Sequence, residues 1–190
     1  MAFLYFDIET WSPSKELIPS ECKIITIQYQ DTKGNLTILK EWESDEKTIL
    51  KQFYDYFSNI LQTEMTTFLI GFNHLRFDIP VLIFRLVKYE IDTYEKILDK
   101  FLRQPFITDL RQALLPFNDM RHKGLNADTL AERLGLCSPA YKNSEIPQLY
   151  EKKEYDKIIE HVKGDMKFLN DLSWIIKNDQ QKLARLSQAE

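Results

Sequence analysis

Residues 68–79 read FLIGFNHLRFDI. An apolar run climbs through Gly71 to Phe72; then Asn73, His74, Arg76 and Asp78 arrive in quick succession before apolar residues return. The segment TTFLIGF is short and continuously apolar, the pattern of a strand buried on both faces. From Asp78 onward DIPVLIFRLVKYE follows a helical pattern, with Pro80 inside the first turn where its missing N–H costs little. A buried strand handing over to a helix through a polar burst is a βα unit, and ligands of open α/β sheets sit at the carboxyl ends of such strands. Asp78 then has two compatible readings, as the N-cap of the helix and as a ligand-bearing carboxylate at the lip of the sheet.

Working outward, AFLYFDI, KIITIQYQ and LTILKEW read as strands, the last two joined by the turn DTKGN as a hairpin. ESDEKTILKQFYDYFSNILQ follows as an amphipathic helix, with Ser44 expected at its N-cap and Ile49, Leu50, Phe53, Phe57, Ile60 and Leu61 on one face. Beyond the central unit come a helix over TYEKILDKFLR, a short strand over FITDL and a helix over NADTLAERLGL. In that last helix Asn126 is expected as N-cap and Gly135 near the end. A long helix is expected over residues 154–176, continuing towards the C-terminus. The order predicts an α/β fold, a mixed central β-sheet flanked by α-helices, whose first strands are antiparallel.

The totals set outer limits. At 190 residues the expectation is one domain spanning 1–190. Hydrophobic residues make up 44% and charged residues 28%, which excludes a disordered chain. MAFLYFDIET has no basic n-region and meets an acid early, so no signal peptide is expected, and no apolar run reaches the length of a membrane span. Cys22 and Cys137 form no ligand pattern, which points to free thiols in a reducing, cytoplasmic setting. The net charge of −4 argues against a nucleic-acid partner only until the acids are located. Acids gathered to hold two divalent cations would be offset by about four positive charges.

Three acidic motifs carry chemistry. Asp7 and Glu9 stand two apart on the first strand, so both carboxylates face one side. Like charges so close raise each other's pKa unless a hard cation such as Mg²⁺ neutralises them. Asn73-x-x-x-Phe77-Asp78 is the second motif. The third is His161-Val162-Lys163-Gly164-Asp165, where His161 and Asp165 share one helix face. Gly164 inside that helix costs about 1 kcal/mol relative to Ala, which asks for a close backbone approach. Taken singly, these motifs also fit a solvated strand end, a helix cap and a surface His–Asp pair.

Together, FDIET, N-x-x-x-F-D and the spacing of the third motif resemble the DEDD (DnaQ-like) superfamily of 3′–5′ exonucleases. The likeness is nearest the DEDDy type, including the proofreading domains of family B DNA polymerases. SDEKTILKQF, TDLRQALL and LNADTLAERLGL resemble the connecting regions of that family, so the likeness runs over about residues 3–175. One position departs: DEDDy enzymes have Tyr four residues before the last Asp, where this chain has His161. DEDDh enzymes have His, but five residues before.

The resemblance implies a ribonuclease H-like fold and two-metal hydrolysis of phosphodiester bonds from the 3′ end of a single strand, DNA favoured over RNA. Two Mg²⁺ or Mn²⁺ ions about 3.5–4 Å apart would clamp the scissile phosphate. Asp7, Glu9, Asp78 and Asp165 are then the metal ligands, and His161 the general base. Thr10, Trp11, Asn73, Phe77 and Lys142 are expected to touch substrate, Trp11 or Phe77 by stacking on a base. Arg76, Arg121, His122 and Lys123 are further candidates for phosphate contact, while His74 falls between the matched positions and takes no role. Expected partners are single-stranded DNA or RNA 3′ ends and replication or repair proteins, with no membrane. A ribonuclease H-like endonuclease such as a junction resolvase, or a non-catalytic nucleic-acid-binding module, would fit the same fold.

Overall fold

The computed structural model describes residues 1–12, 18–184 and 186. Five strands form one sheet: β1 (Ala2–Trp11), β2 (Lys23–Gln30), β3 (Leu36–Lys40), β4 (Thr67–Gly71) and β5 (Phe106–Asp109). The sheet order is β3-β2-β1-β4-β5, with β1–β2 and β2–β3 antiparallel and β1–β4 and β4–β5 parallel. This is the mixed sheet expected, and its parallel half sets β1 and β4 side by side. Tyr5 pairs with Ile70, so the carboxyl ends of the two strands open at the same edge.

The helices are α1 (Glu46–Thr63), α2 (Asp78–Lys88), α3 (Tyr94–Leu98), α4 (Leu110–Ala113), α5 (Ala127–Leu134), α6 (Ile146–Glu151), α7 (Tyr155–Asn178) and α8 (Gln180–Ala184). Alternation along β1 sorts the core. Leu4, Phe6 and Ile8 pack with Ile49, Leu50, Phe53 and Phe57 of α1 and with Leu82 and Leu86 of α2. Phe3 and Tyr5 point the other way, towards a core built by α5 and by Phe168, Leu169 and Leu172 of α7. Asp7 and Glu9 continue this second series, which turns them to the α7 side.

Several local expectations shift. Asp45, not Ser44, caps α1, because its carboxylate accepts both the backbone N–H and the hydroxyl of Thr48. Ser44 instead closes a preceding 3₁₀ turn, its N–H donating to the Glu41 carbonyl. The stretch expected as one helix over TYEKILDKFLR is a single turn, α3, followed by a π-helical turn over Asp99–Arg103. Asn126 does cap α5, and Gly135 ends it in the left-handed conformation at φ 63°. The late helix runs from Tyr155 to Asn178, with α8 following after Asp179, so helical structure continues past residue 176 towards the C-terminus as expected.

Gly71, at the end of β4, has a steric reason. A Cβ there would lie 2.4 Å from Nδ1 of His74, whose ring is fully buried against it. Gly164 in α7 has another, since the backbone of Pro139 would come within 3.1 Å of a Cβ. The loop carrying Pro139 thus runs tight against the helix that bears His161 and Asp165.

Candidate active site

A cleft of about 680 Å³ opens at the carboxyl edge of the parallel strands, and Asp7, Glu9, Asp78 and Asp165 all line it. Each acid arrives by a different local rule. Asp7 and Glu9 come from alternate positions on β1; immediately after Glu9 the β1–β2 register slips, so that Thr10 faces Ile24 and Ile25 is the extra residue. Asp78 is the first residue of α2 but not its cap. Phe77 occupies the cap position without a side-chain bond, and the Asp78 carboxylate accepts the backbone N–H of Ile8 at 3.2 Å. The expected capping role is thereby corrected: the carboxylate crosses to β1 instead of folding back on its own helix. Asp165 comes from α7.

The electrostatics follow from this crowding. Burial pushes the Asp7 carboxyl well above its ordinary value, and the charges of Asp78, Asp165 and Glu9 add to the rise. Burial likewise takes Asp78 up to about 7, against the opposing hydrogen bond from Ile8. Glu9 is raised by burial, with His161 opposing. Among the described residues one side-chain donor reaches Asp7: Nε2 of fully buried Gln28 donates to its Oδ2 at 2.5 Å, while Thr26 Oγ1 donates to Gln28 Oε1 at 2.9 Å. The Thr26 hydroxyl thus turns the Gln28 amide so that its N–H₂ faces the acid.

His161 lies fully buried with Nε2 2.9 Å from Asp165 Oδ2 and 3.2 Å from Glu9 Oε1. Neither ring nitrogen makes a directed hydrogen bond, so the contacts are ionic in character. Burial would lower its pKa, but Asp165 and Glu9 outweigh that and hold it up at about 10. The imidazole is not part of the cleft wall, whereas both carboxylates it touches are. Ligand atoms of Glu9, His161 and Asp165 lie within 4.8 Å of one another, close enough to share one ion. Four carboxylates around one cleft, with the amide of Gln28 among them, form a hard-oxygen set that fits divalent cations such as Mg²⁺ or Mn²⁺.

The expected substrate residues divide. Thr10, Asn73, Phe77 and Arg76 line the cleft. Phe77 also packs against the core on the α1–α2 side. Trp11 does not line it: past the bulge its indole turns to α6, where Nε1 donates to Glu151 Oε1 at 3.0 Å. Lys142 is exposed beside the cleft, its backbone N–H capped by Glu145, and its neighbour Asn143 is the lining residue. Arg121, His122 and Lys123 are exposed in a loop pinned by Asn118 Nδ2, which donates to the carbonyls of Arg121 and Lys123. His74 is buried with both nitrogens unpartnered and a pKa lowered to about 4 by burial.

Two residues were not singled out from the sequence. Asp109, at the end of β5, is buried and accepts the backbone N–H groups of Asn73, Leu75, Arg111 and Gln112. It ties the Asn73 turn, held at φ 60°, to the start of α4. Arg111 lines the cleft and donates from Nη1 to Asn73 Oδ1 at 2.9 Å. The TDLR tetrapeptide at a strand end was the available signal, an acid followed by a base at the same sheet edge as the other acids.

This fold recurs in a solved DNA polymerase and in solved exonucleases. The family B DNA polymerase from the hyperthermophilic archaeon Pyrobaculum calidifontis superposes with a TM-score of 0.71 at 15% identity, over 100% of this chain and 27% of the polymerase. Exonuclease I of E. coli, in complex with a dT13 oligonucleotide, superposes with a TM-score of 0.64 at 13% identity, over 96% of this chain and 42% of that protein. A zinc-bound form of an E. coli exonuclease I–single-stranded DNA complex gives a TM-score of 0.61. The chain therefore spans less than half the length of either neighbour, and at these identities the likeness establishes a ribonuclease H-like exonuclease fold. Among curated protein sequences none matches the chain significantly. No helix among the described residues is long and apolar enough to cross a membrane. A family model described as a predicted 3′–5′ exonuclease related to the exonuclease domain of PolB matches residues 17–167, which include Asp78, His161 and Asp165. The chain belongs to this family of PolB-related 3′–5′ exonucleases.

Proposed function

We propose that the chain, as one domain over residues 1–190, removes nucleotides from the 3′ end of single-stranded nucleic acid, DNA in preference to RNA, with two divalent cations. The observation that carries this is the meeting of four carboxylates, from β1, α2 and α7, in one cleft where burial and mutual repulsion raise the pKa of Asp7 and Asp78. Asp7, Glu9, Asp78 and Asp165 would hold Mg²⁺ or Mn²⁺, which supplies charge neutralisation at the scissile phosphate and an acidified water. Thr10, Asn73 and Phe77 hold the terminal nucleotides, Phe77 offering its face to a base. Gln28 keeps one oxygen of Asp7 occupied and so leaves the other to the site.

His161 is proposed to take the proton of the attacking water, and its surroundings set the condition. The imidazole is held by Glu9 and Asp165 and would be free to act only if bound cations took those carboxylates from it. His161→Ala should lower the rate and change its pH profile between about pH 6 and 9. A lowered rate with an unchanged profile would reduce His161 to holding Glu9 and Asp165 in place.

A 5′-labelled single strand of DNA or RNA, incubated with Mg²⁺ or Mn²⁺, tests the whole reading. Stepwise shortening is expected, lost in Asp7→Ala and Asp165→Ala with the fold intact. Internal fragments as first products would instead indicate an endonuclease, and full activity in either variant would sink the ligand assignment. Single-stranded oligonucleotides in the exonuclease I complexes support the substrate class. A cytoplasmic setting, with replication or repair proteins as suppliers of 3′ ends, fits the two free cysteines, Cys22 buried and Cys137 exposed.

A further inference from the structure

The four acids make one wall of the cleft a set of acceptors, yet the strand they are to cut is itself an anion. Arg111 is the residue on the facing chemistry. Its guanidinium donates from Nη1 to Asn73 Oδ1 and from Nη2 to the His122 carbonyl at 3.4 Å, while Nε is buried without a partner. Among the described residues no carboxylate forms an ion pair with it. Asp109, two residues earlier, is turned to four backbone N–H groups, three on Oδ1 and one on Oδ2. Arg111 thus brings a positive charge without a direct ion pair among the described residues to the edge of the acidic cleft that it lines.

Its contact with Asn73 has a second consequence. A guanidinium carries only donors, so Asn73 must present its carbonyl oxygen to Arg111. The amide nitrogen of Asn73, two N–H groups, is left for the cleft. Asn73 is otherwise fixed at φ 60° by the bond from its own N–H to Asp109. Swivelling the amide would set N–H against N–H, so the donor face is imposed by Arg111 and not by the turn.

We propose that Arg111 positions Asn73 as a hydrogen-bond donor and itself binds a backbone phosphate of the single strand. The proposal rests on the exonuclease reading and adds a residue, beside Arg76 in the same cleft, that recognises the strand's charge outside the metal site. It requires no base identity, as befits an enzyme that degrades any sequence: an arginine fork reads a phosphate through two oxygens.

The test uses a 5′-fluorescein oligo(dT) twelve-mer, with anisotropy in EDTA between 50 and 200 mM salt and steady-state cleavage in Mn²⁺. Arg111→Met is expected to weaken binding about tenfold and to flatten the log K against log salt slope by about 0.7, the value for one lost phosphate contact on a single strand. Arg111→Lys should restore the slope. Asn73→Asp keeps an acceptor for Arg111 but neutralises it and removes the donor face, so KM should rise about tenfold with thermal stability unchanged or higher. Wild-type affinity and slope in Arg111→Met, or a wild-type KM in Asn73→Asp, overturns the proposal. Should Arg111→Met fail to fold, the other two variants still decide. A wild-type protein that leaves the 3′ end untouched refutes the exonuclease reading itself; wild-type cleavage with unaffected variants refutes only the part given to Arg111.

Discussion

Replacing Asp78 by Asn removes one negative charge from the acid cluster while keeping an oxygen for the Ile8 amide. Asp78 is 5% exposed, and its carboxyl is raised from 3.8 to about 7. A folded-state pKa above the unfolded value means that the native state binds the proton more tightly, so stability is lost as pH rises from about 4 through 7. At 1.4 kcal/mol per unit the full effect is about 4 kcal/mol, of which about 2.5 kcal/mol falls between pH 5 and pH 8. Asp7 and Glu9, also raised, act with the same sign. So does His161 above pH 6.5, because its folded value of about 10 is retained while the unfolded imidazole loses its proton. For a chain of this size 1 kcal/mol moves Tm by about 2–4 °C. Thermal melts in EDTA should therefore show Asp78→Asn ahead of the wild type at pH 8 by roughly 5–10 °C more than at pH 5. Adding Mn²⁺ at pH 8 should raise the wild-type Tm and close much of that gap, since the ion binds only the folded cluster. Melting curves that run parallel from pH 5 to pH 8, or a variant that melts below the wild type at pH 8, would refute the reasoning.

Three further outcomes concern the support of the cleft. Gly71→Ala pushes a methyl into the buried His74 ring and should cost about 1–3 kcal/mol in urea unfolding; an unchanged midpoint would mean that the ring has a second seat. Arg85→Met strips the Arg85 fork from Glu46, a carboxylate 2% exposed that also holds the Ile24 N–H and Tyr89 hydroxyl, and should cost about 3–5 kcal/mol. Much of that should return in the double variant with Glu46→Gln, and no recovery would place the loss in packing alone. Gln28→Leu frees Asp7 from its one side-chain donor and should weaken Mn²⁺ binding about 10–100-fold by calorimetry; equal affinity would show that β1 alone holds Asp7.

What was legible in the sequence is what local periodicity carries. Asp7 and Glu9 share a side because strands alternate, and His161 meets Asp165 because helices repeat. The polar burst after FLIGF marked a strand end at the right edge of the sheet. What was not legible depends on partners far along the chain. The acceptor role of Asp78 is set by Ile8, seventy positions away, so the local rule for a helix cap pointed to the wrong bond. Trp11 stays out of the cleft because its indole docks on α6, with Nε1 donating to Glu151, and no pattern within β1 reveals a partner 140 positions away. Asp109 resembles a fifth ligand in type and position. Only the four backbone N–H groups that its oxygens accept show it to be an organiser of the Asn73 turn. Gly164 signalled a close approach, but not that Pro139 makes it.

The four-residue spacing between His161 and Asp165 has a consequence of its own. Four residues on a helix amount to about 400°, so the two side chains stand about 40° apart, one turn above the other. A five-residue spacing would separate them by about 140° and send the imidazole to another part of the site. At the shorter spacing a histidine has the reach to lie against the carboxylate itself, and here it does, with Glu9 of β1 completing the contact. The ring then has two carboxylates within 3.2 Å and no exposed surface. Without cations it serves as their counter-ion and offsets part of the repulsion that burial of the acids creates. The same position couples any catalytic use of the imidazole to metal loading: the carboxylates that hold it are the ones proposed to take the ions. A tyrosine at this position would stay neutral there and would not be held in this way; the exchange of phenol for imidazole makes proton transfer by residue 161 conditional on occupancy of the site.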